Sequence, residues 1–388
     1  MAQGFANPYV HGMRDVRAAD RVVDAANLTA DEGRREALVR KLSTDALGAL
    51  DLLCVYVGDR LGLYRALAGR PALTPEELAA LGSIHARYAR EWLEQQTASG
   101  ILEAENPGAP DDERRYRLPP GHDEVLVDES SLDFMASLAQ GVVGCTPALE
   151  AVLEAFRTGG GVAYAAYGAD AHESQARGTR ALYEKLLTTT WLPAVPALHA
   201  RLQADPPARI ADVACGHGHS TLAIARGYPK VLVDGIDLDE SSIDAARELL
   251  SASGLEDRVA FHHRDASDPD LSGRYDLVTL FEALHDMTHP VDVLKTLRTM
   301  LAPNGCLFMA DERAAERFSP DAGQTERLHY GFSVLHCLPV GMQGENPAGT
   351  GTVMRPHTVR RYAAEAGFTQ VEILPIEDKF WRFYLLTP

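Results

Sequence analysis

Ile210-Ala-Asp-Val-Ala-Cys-Gly-His-Gly-His-Ser220 and, after one intervening helical stretch, Gly235-Ile-Asp-Leu-Asp239 decide the fold of this chain. The pair reads as a buried strand, a glycine turn, a helix and a second strand ending in an acid. A carboxylate at the end of that second strand, Asp237, suits a nucleotide-type fold in which such a group takes two ribose hydroxyls. The turn is Gly216-x-Gly218, with neither a third glycine nor a Gly-Lys-Ser/Thr sequence. It therefore predicts close backbone approach to a nucleoside without a phosphate cradle.

Further strand–helix steps follow in order. A helix is predicted over 241–253, a strand at Val259-Ala-Phe-His-His263 running into Asp265-Ala266, and a strand at Tyr275-Asp-Leu-Val-Thr-Leu-Phe281. A helix over 291–300 leads to the strand Cys306-Leu-Phe-Met-Ala-Asp-Glu312. The chain then closes with a helix over 356–366 and two strands, 370–377 and 381–386, close enough to be antiparallel. Ligand-type residues at successive carboxyl ends of strands fit a doubly wound α/β sheet.

Over residues 206–388 these motifs resemble the class I S-adenosylmethionine-dependent methyltransferases, with their Rossmann-like seven-stranded sheet. The family's acid-x-Gly-x-Gly-x-Gly motif falls on Asp212, Ala214, Gly216 and Gly218, and Ala214 departs from it at the first glycine. The resemblance implies S-adenosylmethionine as cofactor and S-adenosylhomocysteine as product. It implies cofactor contacts from those four residues, from Asp237 and Leu238, from Asp265 and Ala266 at the adenine, and from Phe281 beside the sulfonium.

Composition frames this reading. A chain of 388 residues that is 46% hydrophobic has length for two or three domains and a substantial core. No apolar run approaches the roughly 20 residues that span a bilayer, and the start lacks a basic region followed by an apolar stretch, so neither membrane insertion nor secretion is expected. Five widely spaced cysteines without a Cys-x-x-Cys suggest reduced thiols and a cytoplasmic location.

The first half forms other units. Residues 1–44 read as a polar helical arm, and 45–128 as a winged-helix-like domain. A long helical pattern runs from Asp45 to Leu67. Thr74-Pro-Glu-Glu-Leu78 opens a second helix, with Thr74 and Glu77 at capping-box spacing. A third spans about 85–100, and a short hairpin follows. DNA binding is disfavoured, because 45–128 holds 8 Arg, no Lys and 15 Asp plus Glu, while the whole chain carries −18; phosphate neutralisation supplies most nucleic-acid affinity. The arrangement resembles small-molecule O-methyltransferases, which implies a homodimer formed through this domain.

Residues 129–205 read as an apolar helical linker and pocket lid with a break at Gly159-Gly-Gly161. Tyr164-Ala-Ala-Tyr-Gly-Ala-Asp-Ala-His-Glu173 is expected as a short loop-like segment of aromatic and ionisable side chains. Residues 313–352, containing His336, form a second insertion. Their apolar and aromatic content points to a hydrophobic small-molecule site.

Four groups are candidates for acid–base chemistry. His285, in Phe281-Glu-Ala-Leu-His-Asp286, is similar to the His-Asp pair of plant-type O-methyltransferases and would remove a phenol proton, although Met287 replaces their tryptophan. Glu173 would be a base in an aromatic setting, or else a solvated loop acid. Asp311 and Glu312 end the fifth strand, where they would orient His285 or pair with Arg313. His336 reads as a buried, hydrogen-bonded histidine. No metal-ligand spacing of His and Cys is present, and no metal is expected. The expected function is O-methylation of a hydroxylated aromatic or polyketide-like metabolite. The alternatives are C-methylation of an alkene such as a prenyl diphosphate, with Glu173 taking the proton and Arg180, Arg355 or His172 at the diphosphate, and a non-catalytic ligand-binding regulator.

Overall fold

The computed structural model describes residues 29–265 and 275–388, and the chain divides into two units, Met1–Asp123 and Glu124–Pro388. Residues 1–28 of the expected arm, and Ala266, lie outside the described residues.

In the first unit, helix α1 spans Ala30–Arg60 and α2 spans Leu63–Leu67. The sequence predicted one helix beginning at Asp45. Its earlier start comes from Thr29, whose hydroxyl accepts from Glu32 N while the Glu32 carboxylate accepts from Thr29 N. Its break comes from Gly62 at φ +68°, a left-handed residue that no helix carries through its interior. The predicted capping box of Thr74 and Glu77 is formed and starts α3, Pro75–Gly82. Helix α4, Ala86–Ala98, and the two-residue strands β1, Glu103–Ala104, and β2, Tyr116–Arg117, complete the winged-helix arrangement. Its interior packs Tyr64 edge-on to Trp92 at 5.2 Å, with Leu63, Leu67, Leu78 and Leu93 all but fully buried.

The second unit begins with α5, His122–Leu126, which crosses the division, then α6, Ala136–Gly144, and α7, Leu149–Thr158. A 3-10 turn at Tyr164–Tyr167 and helix α8, Ala169–Leu182, replace the expected loop, so Glu173 stands on a helix. Gly168, which has no side chain to cap α8, hid this start. The helix continues as a π-helix, Tyr183–Trp191, and α9 covers Pro196–Gln203. Among the described residues no single helix is long and apolar enough to cross a membrane, although the bent pair α6–α7 has the length and composition.

The seven-stranded sheet holds β3 (Arg209–Val213), β4 (Leu232–Asp237), β5 (Val259–His263), β6 (Tyr275–Phe281), β7 (Leu301–Glu312), β8 (Gln370–Ile373) and β9 (Trp381–Thr387). Their order is β5-β4-β3-β6-β7-β9-β8, parallel through β7, with β9 antiparallel to both neighbours. The connecting helices are α10 (His219–Gly227), α11 (Glu240–Ser251) and α12 (Pro290–Met300). After β7 come α13 (Gln324–Phe332), a π-helical turn at Ser333–Cys337, α14 (Leu338–Gly341) and α15 (Pro356–Glu365). Side chains alternate across the pleat. Ile210, Val233, Leu277 and Phe308 join one buried cluster, and Ala211, Ile236, Val278 and Leu307 join the cluster on the other face. Both faces being covered is what lets the strands read as continuous apolar runs. The order reverses between β3 and β6, which opens a crevice at their carboxyl ends.

Candidate active site

The glycine turn fills one side of that crevice. Ala214 takes φ +54°, Gly216 +51° and Gly218 +80°. A Cβ on Gly218 would lie 2.5 Å from Phe261 Cζ, whereas nothing lies within 4 Å of one on Gly216. Gly218 is thus required by packing and Gly216 by backbone conformation alone. The turn is pinned to the next strand by Gly216 N donating to Asp237 Oδ2 at 2.8 Å, and Asp239 N donates to Asp237 Oδ1 at 2.9 Å. Burial pushes the Asp237 carboxyl up, against these backbone hydrogen bonds.

Asp212 sits beneath the turn, 1% exposed, and accepts from the hydroxyls of Ser220 (2.6 Å), Thr221 (2.7 Å) and Thr279 (2.6 Å). Those bonds join β3, α10 and β6, so Asp212 braces the turn. Leu238 is 64% exposed beside Asp237, and Asp265 is exposed at the end of β5. The Phe281 side chain packs among Tyr183 and Phe308, which leaves its backbone at the strand end.

Across the crevice His285 lies in a 3-10 turn after β6 and is 2% exposed. Its Nδ1 hydrogen-bonds Asp311 Oδ1 at 2.8 Å. Glu312 Oε2 stands 3.1 Å from Nδ1, and Asp286 Oδ1 stands 3.1 Å from Nε2. Glu312 and Asp286 thus face the two ring nitrogens as ion pairs. Burial opposes protonation of His285, yet Glu312, Asp311 and Asp286 raise its pKa well above the ordinary value. Burial likewise drives Glu312 well up, against the attraction of His285. Asp286 stays low despite burial because His285 faces it. The three carboxylates thus favour the protonated ring, and the bond to Asp311 fixes its orientation.

Glu282 carried no signal in the sequence reading, yet it belongs to this cluster. Burial pushes its carboxyl up to about 7, helped by Asp311 and Asp286 and opposed by Trp381 and His285. Glu173 lies apart from His285 in its bonding. It accepts from the buried Gln140 Nε2 at 2.9 Å, while Arg177 donates to Gln140 Oε1 at 2.6 Å. Its charge bears on His217 in the glycine turn.

An aromatic group connects the two sides. Tyr164 stacks on His172 (4.1 Å, 4°) and meets His336 edge-on, and Tyr167 lies 4.3 Å from His336. Burial, then the charges of Asp237, Asp286 and Asp239, raise the Tyr164 phenol, so its hydroxyl lies within reach of both sides' fields. His336, expected as a buried histidine, is depressed by burial and joins this group.

Residues 205–352 match the family model described as a methyltransferase domain, and residues 48–127 match that of an Rv2258c-like winged HTH domain. The chain is similar to the 27-O-demethylrifamycin SV methyltransferase of Amycolatopsis mediterranei, 31% identical over 26% of this chain and 38% of the relative. It is also similar to the trans-aconitate 2-methyltransferase of Methylobacterium nodulans, 32% identical over 33% of this chain and 46% of the relative. These matches thus span less than half of either relative. Among solved structures, the mitomycin 7-O-methyltransferase MmcR aligns with a TM-score of 0.66 at 19% identity, covering 92% of this chain and 99% of that one. Human N-acetylserotonin methyltransferase in complex with SAM aligns with a TM-score of 0.65 at 17% identity, covering 90% and 96%. The chain thus joins a methyltransferase domain to an Rv2258c-like winged helix-turn-helix domain, in a fold that it shares with these solved methyltransferases.

Proposed function

We propose that this protein transfers a methyl group from S-adenosylmethionine to a hydroxyl of a small, largely apolar acceptor, of the hydroxylated aromatic or polyketide-like kind. The observation that carries the reading is a glycine turn after β3 pinned to the strand-end Asp237, with the His285, Asp286 and Asp311 cluster following the adjacent strand β6.

The turn fits the adenosyl group. Gly216 offers open backbone, Asp237 offers a strand-end carboxylate, Leu238 offers an exposed apolar face, and no phosphate cradle is built. The bound cofactor supplies an electrophilic methyl on a cationic sulfur. Transfer to oxygen forms a C–O bond, breaks a C–S bond with its electron pair left on sulfur, and leaves one hydroxyl proton to place. His285 is assigned to accept it, oriented by the hydrogen bond between its Nδ1 and Asp311. Glu312, Asp311 and Asp286 favour the imidazolium that this creates. Tyr164, His172, Tyr167 and His336 form an aromatic wall that keeps water from the reacting atoms.

Diphosphate recognition is less well supported. Arg180 pairs with Glu184 and Glu129, Arg355 with Glu326 and Tyr330, and His172 is stacked on Tyr164. The first unit is read as a homodimerisation surface. Its α1 exposes Leu38, Leu42, Leu50, Leu53 and Val57 at helical spacing, and Leu61 at its C-cap continues the stripe, which suits a second copy.

The test incubates the protein with methyl-labelled S-adenosylmethionine and a panel of phenols and hydroxylated polyketides. Labelled O-methyl product is expected, falling at least about 100-fold in Asp286→Asn and in His285→Asn. Cofactor binding without transfer to any hydroxylated acceptor would point instead to a ligand-binding role.

A further inference from the structure

Glu282 follows β6 with a left-handed backbone, φ +50°, which a residue with a Cβ adopts only where its surroundings enforce it. Its own carboxylate supplies the restraint. Oε1 accepts from Trp381 Nε1 on β9, and Oε2 accepts from Gln175 Nε2 on α8. The parallel register of β3 and β6 pairs Val213 with Leu280. Glu282 thus follows the end of β6 as the glycine turn follows the end of β3, and β6 lies on the side of β3 away from β4 and Asp237.

Aromatic and ionisable side chains surround this carboxylate. Phe281 lies 5.4 Å from Tyr183, and Tyr183 lies 5.8 Å from Trp381, so aromatic rings flank it. The ionisable groups that act on it are His285 and Asp286 from the 3-10 turn and Asp311 from β7. Glu282 in turn acts on Glu312 of β7 and on Tyr183 of the π-helix. Of these His285 alone can carry positive charge, and Asp311, Glu312 and Asp286 already stand within 3.1 Å of its ring nitrogens. Carboxyl groups thus outnumber basic groups in this cluster, with Glu282 half-buried at its edge.

We propose that Glu282 reads the positive charge of the sulfonium end of S-adenosylmethionine. The ribose end would lie at Asp237, and loss of the sulfonium charge after transfer would weaken the product's hold. This inference rests on the cofactor assignment above. A carboxyl that is partly protonated near neutral pH ionises when a cation arrives beside it, so binding of the charged ligand must expel protons.

Calorimetric titrations at pH 7, in phosphate and in Tris, measure that release from the buffer dependence of the enthalpy. The wild-type protein is expected to release roughly half a proton on binding S-adenosylmethionine, and clearly less on binding S-adenosylhomocysteine. In Glu282→Gln the release should vanish, and affinity for S-adenosylmethionine should fall about tenfold relative to S-adenosylhomocysteine. Retained S-adenosylhomocysteine binding shows that the variant is folded. If it does not fold, the wild-type difference between the two ligands still decides. Equal release with both ligands, or release that persists in the variant, would overturn the proposal. Binding of neither ligand by the wild type would instead remove the cofactor assignment.

Discussion

Ala214 occupies the place where the family's motif has its first glycine, and its φ of +54° explains that preference. A Cβ in this region crowds the following carbonyl at a cost of about 1–2 kcal/mol, partly offset by the extra freedom glycine loses on folding. Ala214→Gly is therefore expected to leave the protein as stable or up to about 1 kcal/mol more stable, read as a small rise in Tm. Gly218→Ala has the opposite expectation. Its Cβ meets Phe261 Cζ at 2.5 Å from a residue at φ +80°, so stability should drop by about 1–3 kcal/mol and cofactor affinity with it. The glycines were readable in the sequence because spacing alone identifies such a turn. The bracing work of Asp212 was not, since Thr279 reaches it from a strand whose pairing with β3 no local pattern reveals. Glu282 was missed for the same kind of reason, since its partners Gln175 and Trp381 lie far along the chain on either side.

On the dimer reading, helix α1 would serve a partner as well as its own domain. Its Val55 and Gly58 are buried, while Leu50, Leu53 and Val57 are exposed on the described unit. Leu50→Glu with Leu53→Glu is expected to turn a dimer into a monomer in analytical ultracentrifugation, with the helical far-UV signal kept. A wild-type monomer would contradict the dimer reading. The start of α1 was legible in principle, because Thr29-x-x-Glu32 repeats the spacing of Thr74-x-x-Glu77 that marked α3. The parallel strands were legible as apolar runs closed by acids or glycines. Helix α8 was not, because it begins after Gly168 without a capping side chain and its first turns are rich in polar groups.

Across the whole molecule, buried histidines of opposite sign shape the response to pH. Burial lowers His329 to about 4, so the unfolded chain takes up its proton first, and the folded state loses stability as pH falls from about 6.5 towards 4. His285 has the reverse sign: its ion pairs are fully stabilising below the unfolded value and are lost as pH rises through its raised folded value. His329→Gln should remove about 2 kcal/mol of the acid-side loss, seen as a flatter dependence of Tm on pH between about 6.5 and 4. An unchanged slope would mean that His329 is already solvated. Fold class was readable because five successive strands carry the same pattern. The electrostatics of the crevice arise from residues on β6, β7, α8 and β9, and only the folded chain brings them together. Binding of S-adenosylmethionine by the glycine turn and Asp237 is tested by calorimetric titration of the wild type beside Asp237→Ala. One site per chain is expected, with affinity falling at least about 100-fold in the variant; equal binding by both proteins, or none by the wild type, would overturn this cofactor site.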